Sequence, residues 1–378
     1  MIDAIAFCGY RRGLCHGRLP FSSTPFVNQE HQTMPKSFSR IAIAAVAALG
    51  ALATVPAHAG KTLDTIKQRG ELVCGVNPGL AGFAAPDSQG RYSGLDIDYC
   101  KGLAAAILGD PNKVRYVPLT APQRFTALQS GEIDVLSRNT TWTLTRDASL
   151  GMHFVGVNFY DGQGFMVPKS LNVTSARQTK GATVCVQGGT TTELNLTDYS
   201  RANNLQWKPV VFDNQPATNA AYFSGRCQIY TTDASGLAAI RSKEAKNPAD
   251  HVILPELISK EPLGPSIRRG DDEFFAISKW VLNAMLEAEE LGITQANVDQ
   301  MKRESKNPGV MRVLGSGSED SGKALGLDKD WAYRVIKAVG NYGEGFERHV
   351  GPNTPVGLPR GSNALWTQGG LMYAPPIR

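Results

Sequence analysis

From Glu71 onward, short runs of apolar residues alternate with longer stretches in which apolar side chains recur every three or four positions. "ELVCGV" predicts a strand. "GLDIDYCKGLAAAILG" predicts a helix with Ile97, Leu103, Ala104, Ile107 and Leu108 on its apolar side, closed by Gly109. "VRYVPL" follows as a strand, "PQRFTALQSG" as a helix opened by Pro122 and closed by Gly131, and "IDVLS" as a further strand. The middle of the chain repeats the alternation. There "ATVCVQ", "PVVFD" and "CQIYT" read as strands, and "TTTELNLTDYSRAN", "PATNAAYFSG" and "DASGLAAIRSK" as helices. Alternation of this kind predicts an α/β fold, with parallel or mixed sheets covered by helices.

Two extended, glycine- and proline-punctuated segments, "VNFYDGQGFMVPK" and "VILPELISKEPLGPSIRRGDDEF", bracket the middle unit. They predict the outgoing and returning crossings of a hinge between two lobes. The first lobe then resumes with the helix "DEFFAISKWVLNAMLEAEELG". After it come a polar, flexible "GSGSEDSG" and one final helix, "DKDWAYRVIKAVGNYGEGFERHV". The expected extents are 60–160 with 265–378 for a discontinuous lobe 1, and 166–258 for lobe 2, with the C-terminal extension packed on lobe 1.

An internal echo supports two equivalent units. "TAPQRFTALQSGEIDVLSRN" and "NQPATNAAYFSGRCQIYTTD" each carry a proline near the helix start and close on Ser-Gly. Eight residues past Gly131 stands Asn139, and eight past Gly225 stands Asp233. Both positions fall just beyond the carboxyl end of a strand, where open α/β sheets bind ligands.

The N-terminus changes what counts as fold. "MPKSFSRIAIAAVAALGALATVPAHAG" has Lys36 and Arg40, then an apolar run Ile41–Val55, then Ala57-His58-Ala59, the grammar of an export signal over residues 34–59. Residues 1–33 fit no part of that signal and read as a spurious upstream extension. The 319 residues from Gly60 onward suit two lobes. Removing five Lys/Arg and two Asp/Glu with residues 1–59 lowers the net charge from +5 to +2, which leaves no electrostatic footprint for nucleic acid or anionic lipid.

Cys8 and Cys15 fall in the leader, and an even number of cysteines in an exported chain suggests disulfides. Cys74 and Cys100 share an early segment and Cys185 and Cys227 a middle one, so they are expected to pair in that way, although the sequence alone allows three connectivities. No two cysteines have C-x-x-C spacing and His153, His251 and His349 are scattered, so no metal site is expected. No cofactor is expected either.

The chemistry concentrates after the first lobe's strand. Arg146 lies near the start of a short helix facing the cleft, and a guanidinium holds a carboxylate by two parallel hydrogen bonds, with hydroxyls such as Thr141 completing the shell. Asp233 supplies a negative charge from the matching place in the other lobe. One cation and one anion on opposite walls suit a zwitterion, and the simplest is a free α-amino acid.

At these residues the chain resembles the periplasmic amino-acid-binding proteins of ABC importers, a type II periplasmic-binding-protein fold. "GRYSGLDID" (90–98), "L-x-S-G-E-I-D-V" (128–135) and "T-x-x-R" (Thr143–Arg146) carry the likeness. The tail, "GNYGEGFERHVG" and "RGSNALWTQGGLMYAPPIR", looks like the longer, general L-amino-acid-binding subgroup. The resemblance implies that Arg146 grips the ligand α-carboxylate, that Thr141 and Asn139 add contacts, that Thr191 with Thr190 serves the second wall, and that Asp233 holds the α-amino group. It also implies an aromatic against the ligand side chain, for which Phe83 is nearest, with Leu80 where a tyrosine often stands. It further implies a monomer in the periplasm that hands an L-amino acid to an inner-membrane ABC permease and performs no catalysis.

Other motifs weigh less. "QGGTT" lacks the lysine of a phosphate loop, so it reads as a helix start suited to a carboxylate. Three Asn-x-Thr triplets, at Asn139, Asn172 and Asn195, match glycosylation acceptors that carry no signal in a bacterial periplasmic protein. A rival reading is a dehydratase of prephenate or arogenate on the same scaffold, which needs a poised acid or base. Glu193 is the one carboxylate besides Asp233 that the sequence places near the cleft, and a first-turn helical role suits it better.

Overall fold

The protein is described by a computed structural model over residues 62–378. The expected export signal and upstream extension lie outside the described residues. No helix among the described residues is long and apolar enough to cross a membrane.

The described residues open with the helix Thr62–Arg69 and strand β1 (Leu72–Val76). A two-stranded hairpin of β2 (Ala85–Pro86) and β3 (Tyr92–Ser93) leads into the helix Leu95–Leu108. The entry to that helix depends on Gly94. Its φ is 136°, and a Cβ there would lie 2.1 Å from the Phe83 carbonyl oxygen, so the turn admits only glycine. Gly109 ends the helix in the left-handed conformation and donates to the Ala105 carbonyl.

β4 (Val114–Pro118), the helix Gln123–Ser130, β5 (Val135–Leu136), the helix Leu144–Ser149 and β6 (Met152–Phe154) follow. β7 (Phe159–Asp161) and β8 (Gln163–Pro168) carry the chain across to the second half. There β9 (Thr183–Gln187), β10 (Lys208–Phe212) and β11 (Ile229–Asp233) alternate with the helices Thr191–Ala202, Gln215–Phe223 and Ala234–Glu244, ending at β12 (His251–Ile253). β13 (Glu261–Leu263) and β14 (Ser266–Arg268) return to the first half.

Among the described residues these strands form two five-stranded sheets, in the orders β4-β1-β5-β14-β6 and β10-β9-β11-β8-β12. In each, three parallel strands are extended by antiparallel ones: β14 runs against β5, and β8 against β11. The mixed α/β architecture expected from the sequence is therefore present, in two copies. Both crossings pass between the sheets together. β13 pairs antiparallel with β7, setting Glu261 opposite Asp161.

Both expected disulfides are formed. Cys74 on β1 joins Cys100 on the adjacent helix at a Cα separation of 6.3 Å, and Cys185 on β9 joins Cys227 beside β11 at 5.6 Å. Each bond ties a strand to a neighbouring element within its own half.

The returning chain builds most of the first half's core. The helix Asp272–Glu290 buries Ile277, Val281, Leu282, Met285 and Ala288, one stripe at helical spacing, and full burial of such aliphatic side chains is worth about 1.5–3 kcal/mol each. Beside it, the expected single terminal helix is two helices, Trp331–Val339 and Tyr342–His349. Gly340, at φ 80°, ends the first, and Asn341 with Glu344 forms a reciprocal capping box that starts the second. Apolar periodicity runs through the break, which is why the sequence pattern reads as one helix. The polar "GSGSEDSG" packs at its two ends, where a Cβ would lie 2.4 Å from the Lys329 carbonyl oxygen on Gly315 and 2.2 Å from the Asp328 carbonyl oxygen on Gly322, and Ser316, Ser318, Glu319 and Asp320 between them are exposed.

The last residues are bonded to this core. Glu289 accepts from Arg360, the Ile377 amide donates to Glu287, and Asn363 exchanges two hydrogen bonds with the backbone of Tyr160 on the outgoing crossing. The two acids of "GLDID" also have structural partners. Asp96 accepts from the Asn139 amide, Ser137 Oγ and Asn158 Nδ2. Asp98 accepts from His349, at 2.7 Å, and from Arg348.

Candidate functional site

A narrow polar cavity of about 40 Å³ lies between the two sheets, at the carboxyl ends of β1, β5, β9 and β11. Its first wall carries Asn77, Leu80, Arg124, Arg138, Asn139 and Thr141. Its second wall carries Thr190, Thr191, Thr232 and Asp233. The internal echo in the sequence thus ends with its two marked residues, Asn139 and Asp233, on opposite sides of one cavity.

Each wall has a local reason. Asn139 has φ 31°, a conformation that asparagine tolerates better than most residues, and the Asp96 carboxylate fixes its amide. Thr190 caps the helix Thr191–Ala202 by accepting from the Glu193 amide, and its own hydroxyl donates to the Gln187 carbonyl at 2.7 Å. Asp233 ends β11 and stands at the N-cap of the next helix, but its side chain makes no capping bond. It is 8 % exposed, and burial pushes its carboxyl well above the ordinary 3.8. The charges of Asp161 and Glu261 push it further, against the opposing pull of Arg124 and Arg146.

Arg146 follows Thr143, whose hydroxyl accepts its backbone amide and starts the short helix, as expected. Its Nη1 donates to the Thr141 carbonyl at 2.9 Å, and its guanidinium lies 5.1 Å from the centre of the Phe125 ring. It is buried and faces Glu261 and Asp233 electrostatically, but it stands behind Thr141 rather than among the lining residues. Burial works against its charge, and those two carboxylates support it.

The cavity is lined instead by two arginines that the sequence reading passed over. Arg138 donates its Nε to the Leu119 carbonyl. Arg124 is 3 % exposed, its Nε has no hydrogen-bond partner among the described residues, and burial with the neighbouring Arg138 and Arg146 strongly disfavours its charge. A signal for Arg124 was present: it shares a helix face with the buried Ala127 and Leu128, three and four residues on.

Two expectations are corrected by placement. Phe83 does not line the cavity: it is 1 % exposed in the core, edge-on to Phe159 with ring centres 5.2 Å apart, and Leu80 takes the lining position. Glu193 is not the one carboxylate near the cleft besides Asp233. It reaches back to the Gly189 amide at 3.0 Å, a helix-start role, while the buried Glu261 and the half-buried Asp161, on the paired crossings, act electrostatically on Asp233. Asp161 accepts from the Gly162 amide at 2.8 Å and from the Ser235 hydroxyl, and burial raises its pKa above the ordinary range. Neither crossing carboxylate shows in local periodicity, because the two come together only when strands 100 residues apart pair.

Trp142 stacks on Phe154 with ring centres 5.5 Å apart while keeping part of its surface exposed. The arrangement as a whole sets guanidinium donors on one wall against a carboxylate on the other, with hydroxyls between. Such a site can hold a small zwitterion.

Comparison with known proteins gives concordant results. Residues 72–296 match the family described as bacterial extracellular solute-binding proteins, family 3. The general L-amino acid-binding periplasmic protein AapJ of Rhizobium johnstonii is 59 % identical over 89 % of this chain and 97 % of its own length. The glutamate/glutamine/aspartate/asparagine-binding protein BztA of Rhodobacter capsulatus is 55 % identical over 90 % of this chain and 98 % of its own. Among solved structures, a periplasmic binding protein of an ABC transporter from Brucella ovis, with glutathione bound, superposes with a TM-score of 0.83 at 55 % identity, over 84 % of this chain and all of that one.

Proposed function

The chain belongs to the bacterial extracellular solute-binding proteins of family 3, and from that premise we propose that it captures free L-amino acids in the periplasm and delivers them to an inner-membrane ABC permease. The observation that carries this reading is the cavity between the sheets, where Asp233 faces arginines across a set of threonine hydroxyls. In this reading the protein is a monomeric carrier with no catalytic step. Residues 60–160 with 265–378 form one lobe and 166–258 the other, and they hinge about the paired crossings.

Asp233 receives the α-ammonium. Arg124 and Arg138, on the lining, and Arg146, held behind Thr141, form the positive wall that receives the carboxylate, and Asn139, Thr141, Thr190 and Thr191 complete the contacts. The unpartnered Nε of Arg124 gives the pocket room for a second acceptor, so side chains ending in a carboxylate or amide fall within its range. Closure follows from differential contacts: one wall binds in the open state, and Asp233 with Thr191 adds its bonds only when the lobes meet.

Because Arg146 is assigned to the part that all amino acids share, Arg146→Ala should weaken every amino acid by a similar factor in a titration-calorimetry panel. Loss confined to certain side chains would remove Arg146 from that role.

A further inference from the structure

Glu261, on the returning crossing, is 1 % exposed and its carboxylate accepts four hydrogen bonds. Oε2 accepts from Thr141 Oγ1 at 2.6 Å and from Thr191 Oγ1 at 2.9 Å; Oε1 accepts from Ser259 Oγ at 2.6 Å and Asn195 Nδ2 at 2.9 Å. Thr141 belongs to the first wall of the cavity and Thr191 to the second, so one oxygen of one carboxylate joins both walls.

Proton counting gives this arrangement a consequence for the ligand. A threonine hydroxyl has one proton and two acceptor lone pairs, and an ionised carboxylate can only accept. Thr141 and Thr191 therefore both spend their single proton on Glu261. Their oxygens lie 3.4 Å apart with no proton left between them. What both hydroxyls present to the cavity is lone pairs, which suit an N–H donor and disfavour a carboxylate.

Resting on the reading of the cavity as an amino-acid site, we propose that Glu261 is a positioning residue: by taking the hydroxyl protons of Thr141 and Thr191 it makes both threonines acceptors, and so directs the ammonium end of the ligand to them, alongside Asp233. Glu261 is not among the residues lining the cavity, so it acts through the two hydroxyls. The sequence-based expectation that Thr141 uses its hydroxyl to complete the carboxylate shell is thereby reversed. The carboxylate is left to the guanidinium groups.

The test compares L-glutamate with glutarate, the same molecule without its ammonium group, by titration calorimetry on wild type and Glu261→Met. Methionine has similar length and no acceptor, and it frees both hydroxyl protons to turn toward the ligand. The expected result is at least a tenfold fall in L-glutamate affinity with glutarate unchanged or tighter, so that the preference for the ammonium-bearing ligand narrows by that factor. Equal losses for both ligands, as a purely structural role would give, or an unchanged preference, would overturn the proposal. Should Glu261→Met fail to fold, Thr191→Val removes one acceptor and leaves Glu261 in place, and the same narrowing or its absence decides. Wild-type protein that binds no L-amino acid would defeat the reading of the cavity itself; binding by wild type with no change of preference in the variants would defeat this inference alone.

Discussion

Ligand capture should release protons, and Asp233 is the reason. Its carboxyl is held well above 3.8, by burial first and then by the charges of Asp161 and Glu261. An α-ammonium placed against it brings in a positive charge and lowers its pKa again. Between the bound and free values, each ligand that binds expels up to one proton. The dissociation constant then changes by up to tenfold per pH unit, about 1.4 kcal/mol. The sign follows from which form binds: the ionised carboxylate accepts the ammonium, so affinity rises with pH and levels off above the free-protein pKa. Acidification toward pH 4 weakens binding. Calorimetry in two buffers of different ionisation enthalpy counts the protons directly, and Asp233→Asn serves as control. The variant should lose most of the pH slope and, because a buried charge partner is removed, at least about 2 kcal/mol of affinity at high pH, roughly 30-fold. A wild-type affinity that stays flat from pH 4 to 8, or an asparagine variant that keeps the full slope, would refute the assignment.

Phe83→Ala should destabilise the fold by about 3–5 kcal/mol in denaturant melts, because it empties a fully buried aromatic site, while ligand specificity in the folded fraction stays unchanged. Replacing Cys185 and Cys227 together by alanine opens a loop of 42 residues and should cost about 4 kcal/mol by loop-closure entropy, read as a lower unfolding midpoint relative to oxidised wild type. Asp98→Asn tests how the C-terminal helix is held. Burial opposes the Asp98 charge, but His349 and Arg348 outweigh it and hold its pKa below 3.8. Its contribution is therefore present above about pH 4 and lost as the pH falls through the lowered value. The variant should be about 1–3 kcal/mol less stable at pH 7, with a flatter loss of stability in acid.

The parts of the fold written in local pattern were readable. Helix ends at Gly109 and Gly131 follow from residues that can enter the left-handed region, and both structural glycines carry it, at φ 71° and 82°. The repeated helix-to-strand unit placed Asn139 and Asp233 on one cavity, because equal spacing from equivalent glycines lands at equivalent strand ends. The helix break at Gly340 was also written locally, in an Asn-x-x-Glu capping box, but continuous apolar spacing masked it. What local pattern does not contain is pairing across distance. Glu261 meets Thr141 and Thr191, 120 and 70 residues away, only through the ladder between β7 and β13. Phe83 failed for a related reason: the sequence shows an aromatic near the site but not which way the turn before the β2–β3 hairpin aims it. Arg124 carries no motif that marks it as a site residue, and only its place on the buried face of its helix, with Ala127 and Leu128, distinguishes it.

On the proposed function, the cavity between the sheets closes on free L-amino acids. The most direct measurement is a thermal-shift panel on the protein, unfolded and refolded to strip carried-over ligand, against the twenty L-amino acids and prephenate. At a hundred times its dissociation constant, a ligand that binds only the folded state adds about 2.7 kcal/mol, a readily visible shift. Stabilisation by many L-amino acids, including those with acidic and amide side chains, is the predicted result. Stabilisation by prephenate alone, or by none of the panel, would contradict the account.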